Sequence, residues 1–182
     1  MKKGDWKKSL AGCKGQVWIE TVIYLLIALV MISLVLAFVK PKIEELRDQA
    51  IIDQSIEILK NIDNSILTMG EAGNKRVLEI GIKKGTLTID SLNDNIIFEI
   101  DSRYLYTEVG QTVNLGNIQA TTEDKGKNNL VTLKRDFSEE YNLTYKGEEN
   151  AKTFPKSSTP YTISLTNKGE FSNKIKIDFD IQ

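Results

Sequence analysis

One carboxylate, Glu20, stands near the front edge of an apolar run that extends from Gly15 to Val39. From Val22 to Val39 no residue carries a charge, so the run is long enough to cross a bilayer as a helix. A carboxylate entering such surroundings loses solvation worth several kcal/mol and is kept where a cation or hydrogen-bond donors offset that loss. The chemistry open to Glu20 is therefore ion pairing, and its natural partner is an ammonium in the same apolar environment. Another outcome stays open at this stage, in which Glu20 sits among lipid headgroups.

Other chemistry is poorly served. The chain has no histidine, the commonest general base and metal ligand. Its one cysteine, Cys13, precedes the apolar run, so a chain cut after Gly15 has neither disulfides nor thiol chemistry. Glu99, Asp101, Glu139 and Glu140 read as alternating or surface charges, with no partner motif for acid–base catalysis. Asn93-Asp94-Asn95 and Asp178-Phe179-Asp180 lack the residue spacing of a calcium loop and read as turn chemistry and a solvated strand face. No catalytic residue, metal or cofactor is expected, and the chain is read as a non-enzyme. Asn142-Leu143-Thr144 satisfies the N-glycosylation sequon, making Asn142 a candidate acceptor on an exported domain. The formal net charge is −1 over 182 residues, which offers nucleic acid no electrostatic footprint.

That near-balance hides an asymmetry. Residues 1–15 hold Lys2, Lys3, Lys7, Lys8 and Lys14 against Asp5, and their removal leaves 19 basic and 24 acidic residues. A basic segment directly before an apolar helix is expected to stay cytoplasmic. A secretory signal peptide would carry its cleavage site after the apolar core, behind small residues. Here Val39 is followed by Lys40-Pro41-Lys42, and the small residue, Gly15, comes before the core instead.

The junction Lys14-Gly15-Gln16, with Glu20 fifth in the chain that a cut would leave, resembles the processing site of a type IV pilin precursor. The leader ending in Lys14-Gly15 is similar to the class III signal peptide of archaeal adhesion-type pilins in particular. The resemblance covers residues 1 to about 45. It implies a membrane precursor cut by a prepilin peptidase, then drawn into a helical homopolymer by an assembly ATPase and a membrane platform protein. It also implies that Glu20 pairs with the α-amine that the cut creates on Gln16 of a neighbouring subunit, so that processing and pairing are coupled unless that glutamine cyclises and deletes the amine, and that the filament serves surface adhesion. Two alternatives are an uncleaved anchor holding a ligand-binding surface domain and an archaellin-like motility subunit. The pair Glu20-Thr21 and the Gln16 start look more like the adhesion pilins.

The elements that position Glu20 follow from hydrophobic periodicity. Beyond Lys40-Pro41-Lys42 the helical pattern resumes with Ile43, Leu46, Ala50, Ile51, Ile58, Ile62 and Ile66, interleaved with Glu44, Arg47, Asp48, Asp53 and Lys60. Pro41 lacks an amide hydrogen and crowds the preceding turn, which predicts a bend rather than an end. Gly70 and Gly73-Asn74 give the stop. A helix from Val17 to Thr68 is about 78 Å long, so its first half is expected to protrude. Trp18 and Tyr24 suit either an interfacial belt or a helical bundle.

After Asn74 the period becomes two. Strands are expected at Leu78–Ile82, Leu87–Ile89, Ile96–Ile100, Tyr104–Thr107, Thr112–Leu115, Leu130–Leu133, Leu143–Tyr145, Tyr161–Leu165 and Ile175–Ile181. Loops are expected at Glu123–Asn129 and Glu148–Pro160. The resulting fold class is α+β, a long N-terminal helix packed by its second half on an antiparallel sandwich or barrel-like domain. The expected divisions are a leader at 1–15, a membrane or filament-core helix at 16–39, its amphipathic continuation at 40–69, and a β-domain at 74–182.

Overall fold

The structure, a computed structural model, describes residues 12–181, with side chains from Val17 onward. A helix, α1, runs from Gly12 to Leu67 with Pro41 inside it. Ten strands follow: β1 Lys75–Ile80, β2 Thr86–Asp90, β3 Asn95–Ser102, β4 Thr112–Leu115, β5 Ile118–Asp124, β6 Asn129–Asp136, β7 Tyr141–Tyr145, β8 Ala151–Pro155, β9 Tyr161–Phe171 and β10 Lys174–Ile181. The fold is α+β, as the periodicity predicts. The chain divides into two compact units at Glu44/Glu45, so the second half of α1 belongs with the strands.

The strands form two sheets. One is ordered β1-β9-β10-β7 and the other β4-β5-β6-β3-β2-β8. Neighbours pair antiparallel throughout except β10 with β7, which run parallel. Alternation fixes which face turns inward. Ile96, Phe98 and Ile100 of β3, Val131 and Leu133 of β6, Ile163 and Leu165 of β9, and Ile177 and Phe179 of β10 are all buried in one core. Ile97, Glu99 and Asp101 point the other way and are more open to solvent.

The helix reaches that core along a stripe that coincides with the expected one at Ile62 and Ile66 and departs from it over the preceding turns. Ile52, Ile56, Leu59, Ile62 and Ile66 are each at most 5% exposed, at helical spacings of three and four. Ile43 and Leu46, expected to start the stripe, are 51% and 54% exposed, and Ala50 is also exposed. Ile51 and Ile58 are only half-buried beside the true face. The cause is that Ile51-Ile52 offers two consecutive apolar side chains, and periodicity alone does not choose between them.

Two carboxylates fix the helix to the sheets. Asp48 Oδ2 accepts the backbone N–H of Arg103 at 2.8 Å, and its other oxygen accepts Lys84 Nζ. Asp63 Oδ1 accepts Arg135 Nε at 2.6 Å while Oδ2 accepts Asn117 Nδ2 at 3.1 Å. The Arg135 guanidinium also lies 4.3 Å from the Phe137 ring centroid, a cation–π contact. Buried charges need such partners on each oxygen. At the helix exit, Asn167 on β9 donates from Nδ2 to Gly70 O at 2.8 Å and accepts Gly73 N–H on its backbone carbonyl at 2.8 Å.

Three strand assignments need correction. Residues 104–107 are not a strand; Thr107 turns instead, donating from Oγ1 to Thr122 Oγ1 at 2.9 Å and receiving no ladder partner. β8 lies inside the expected loop at 148–160. Of its side chains only Phe154 is buried, too little apolar signal to be read, and Pro155 is tolerated because β8 is an edge strand. β5 is the missed neighbour of β6; its inward residues Ile118, Ala120 and Thr122 are small or polar except the first. The loop expected at 123–129 shrinks to the turn between β5 and β6, closed by Lys125 N–H donating to Asn128 O. Gly85, which leads into β2, has φ +84°, and a Cβ there would stand 2.2 Å from Glu99 O. Only glycine fits.

Candidate functional site

The residues at the front of α1 make the candidate site. Leucine, alanine and methionine supply helix propensity there, and Ile and Val add bulk without polar atoms. The large side chains from Val17 to Val39 are all at least 37% exposed. By length and composition this segment can cross a membrane, and it is the one such helix among the described residues. The segment is therefore compatible with membrane anchoring.

Its polar groups are few and mostly turned inward on the helix. Thr21 donates from Oγ1 to Val17 O at 2.9 Å, and Ser33 does the same to Leu29 O at 2.8 Å. Such bonds to the carbonyl four residues back remove a hydroxyl from intermolecular use. Glu20 accepts on Oε1 from the Tyr24 hydroxyl at 3.1 Å, and both side chains are exposed. Trp18 is 73% exposed on the same segment. The arrangement can do one thing chemically, which is to present a carboxylate on an apolar rod.

The remaining site residues from the sequence fall as follows. Lys14, Gly15 and Gln16 have helical backbone within α1, but their side chains, like all of residues 1–11 of the leader, lie outside the described residues. The helix continues through Pro41 without a break in its assignment. Asn142 is half-buried on β7, an edge strand, while Thr144 of the same sequon is fully buried, its hydroxyl donating to Asp178 Oδ1 at 2.9 Å.

The two Asp/Asn clusters act within the fold. Asp90 accepts the backbone N–H groups of Leu92 and Asn93 at 3.1 and 3.3 Å. Asp94, at φ +51°, accepts Leu143 N–H at 2.8 Å and so ties one sheet to the other. Asp178 accepts Gly147 N–H at 2.7 Å besides the Thr144 hydroxyl. No group of three or more His, Cys, Asp or Glu that could hold a metal ion occurs among the described residues.

The β-rich unit carries a cleft of about 550 Å³ lined by Asn114, Asn117, Gln119, Arg135, Glu139 and Tyr141 among others. Arg135 is already committed to Asp63 there. Burial pushes the Tyr141 phenol above its ordinary value, with Glu140 and Asp63 adding to the shift and Arg135 opposing it. The side chain that meets Glu20, and that the sequence does not single out for it, is Tyr24. Its type and place suit an anchor or packing residue, and the signal for the contact is its i, i+4 spacing from Glu20.

The chain matches no protein-family model, no curated protein and no solved structure. The likeness to type IV pilin precursors accordingly stands on residues 1 to about 45 alone.

Proposed function

We propose that this chain is the structural subunit of an extracellular type IV pilus-like filament. It is made as a membrane-anchored precursor, cut after Gly15, and polymerised through the front of α1 to serve surface adhesion. The observation that supports the reading best is an apolar helix, exposed from Val17 to Val39, that carries a single carboxylate just beyond a basic leader. Lipid can cover such a rod before assembly, and identical rods can cover it afterwards. In the second setting Glu20 needs a cation, and a chain cut at Gly15-Gln16 brings one on each neighbour.

The partners in this reading are further copies of the chain, a prepilin peptidase, an assembly ATPase and a membrane platform protein. Mass spectrometry of the membrane and filament fractions tests it, with a mature N-terminus at Gln16 expected. Surface material that all retains Met1 to Gly15 would favour a permanently anchored surface domain instead. Glu20→Gln, which keeps shape but removes charge, is expected to insert and be cut normally while giving few filaments. Breaking a buried pair by deleting one member costs about 3–5 kcal/mol. Wild-type filament abundance from Glu20→Gln would remove Glu20 from assembly.

A further inference from the structure

Between Val22 and Val39 the only side chains with a hydroxyl are Tyr24 and Ser33, in a run that is otherwise aliphatic apart from Met31 and Phe38. Ser33 spends its proton on its own helix, and so does Thr21 beside Glu20. Tyr24 alone directs its proton to the carboxylate, at 3.1 Å from Oε1. Helix geometry makes the order of the two residues matter. Side chains lean toward the N-terminus, so a tyrosine four residues after a glutamate reaches back over it, whereas the reverse order would point the phenol away.

We infer that Tyr24 is a positioning residue for Glu20. Its phenol occupies Oε1, fixes the carboxylate rotamer against the apolar surface, and leaves Oε2 to accept an incoming cation. This rests on the filament reading for the identity of that cation, the α-amine of a neighbouring copy. The bond itself is a property of a single chain. Two consequences follow from its physics. A carboxylate that carries its own donor is less costly to hold among apolar side chains, because a charge-assisted hydrogen bond replaces part of the lost water. A carboxylate whose rotamer is already restricted also loses less freedom on docking, which favours association without any new contact.

The experiment compares the full-length protein with Tyr24→Phe, which removes one oxygen and keeps the ring. In lipid nanodiscs, the infrared carboxylate band of Glu20 is isolated as the difference between each protein and the same protein carrying Glu20→Gln. Loss of the phenol donor is expected to move that band, and a purely structural role for the ring would leave it in place. Filament yield is the second readout. A hydrogen bond to a charged group changes an equilibrium about tenfold or more, so Tyr24→Phe is expected to lower polymerisation by about that factor. In the Glu20→Gln background Tyr24→Phe is expected to cause no further loss, since Tyr24 acts through Glu20. A band that Tyr24→Phe leaves unmoved overturns the inference. So do losses from the two substitutions that multiply, because the hydroxyl would then act independently of Glu20. A moved band in a wild-type protein that never polymerises sinks the filament reading and leaves the Tyr24–Glu20 bond standing.

Discussion

The phase of the helical stripe can be tested by two leucine truncations thirteen residues apart on α1. Leu59 is 1% exposed in the shared core, whereas Leu46 is 54% exposed, although periodicity assigns Leu46 to the packed face and passes over Leu59. Truncating a buried leucine to alanine removes its transfer free energy and leaves a cavity, together about 2–5 kcal/mol. Truncating an exposed one changes stability by about 0.5 kcal/mol or less. The assay is urea unfolding of a fragment starting at Ile43, followed by far-UV circular dichroism. A small domain unfolds with a slope of about 1–3 kcal/mol per molar. Leu59→Ala is therefore expected to lower the midpoint by about 1 M or more, and Leu46→Ala to leave it nearly unchanged. Equal shifts from the two substitutions would refute the phase, and a larger shift from Leu46→Ala would restore the stripe that starts at Ile43. The same physics predicts what happens when the stripe is deleted whole. Ile52, Ile56, Leu59, Ile62 and Ile66 at about 1.5–3 kcal/mol each come to roughly the entire stability of a domain, so a fragment starting at Asn74 is expected to be unfolded or aggregated.

Three further outcomes are expected. Asp63→Ala strands Arg135, whose side chain is 15% exposed, and is expected to cost about 3–5 kcal/mol in the same denaturation assay, little affected by added salt. Gly85→Ala places a methyl group against the Glu99 carbonyl at a φ that disfavours side chains, and is expected to destabilise the fold by more than about 1 kcal/mol, measured as a drop in thermal midpoint. Because burial raises the Tyr141 phenol in the folded state, the stability tied to its neutral form is fully present below the unfolded value of about 10 and is lost as pH climbs through the folded one; Tyr141→Phe is expected to flatten that alkaline limb in a pH series of unfolding midpoints.

The fold class was legible because the two periods are unmistakable: an uninterrupted apolar run before Lys40, and Ile-x-Phe-x-Ile at Ile96–Ile100 after it. Edges were less legible. β8 shows a single inward side chain, Phe154, and so has no alternation to read. β5 fills its inward positions with Ala120 and Thr122, which small size and a buried hydroxyl network accommodate but which hydrophobicity does not flag. The parallel pairing of β7 with β10 joins segments more than thirty residues apart, and no local pattern encodes it. At the candidate site, Glu20 was visible because a charge among aliphatic residues is conspicuous. Tyr24 was not, since an aromatic residue near the start of a membrane-length helix already has an ordinary explanation. Its hydroxyl acquires meaning only when helix geometry is followed atom by atom.

The order in which the sheets close has a consequence for how the protein matures. β1, at the beginning of the strand region, lies against β9 near its end, and β7 waits for β10, the last strand described. The stripe of α1 from Ile52 to Ile66 joins the same core as Ile163, Leu165, Ile177 and Phe179. The four-stranded sheet cannot therefore finish early: it remains a set of open edges until residues 161–181 arrive. Contacts between such distant segments also fold slowly, because their loop entropy must be met before any pairing compensates it. A polypeptide shortened before Lys174 would leave β9 paired with β1 alone and β7 with no partner strand. Foldedness is thus a readout of completeness, and a proofreading protease would need only to sense exposed strand edges to discard copies shortened before Lys174.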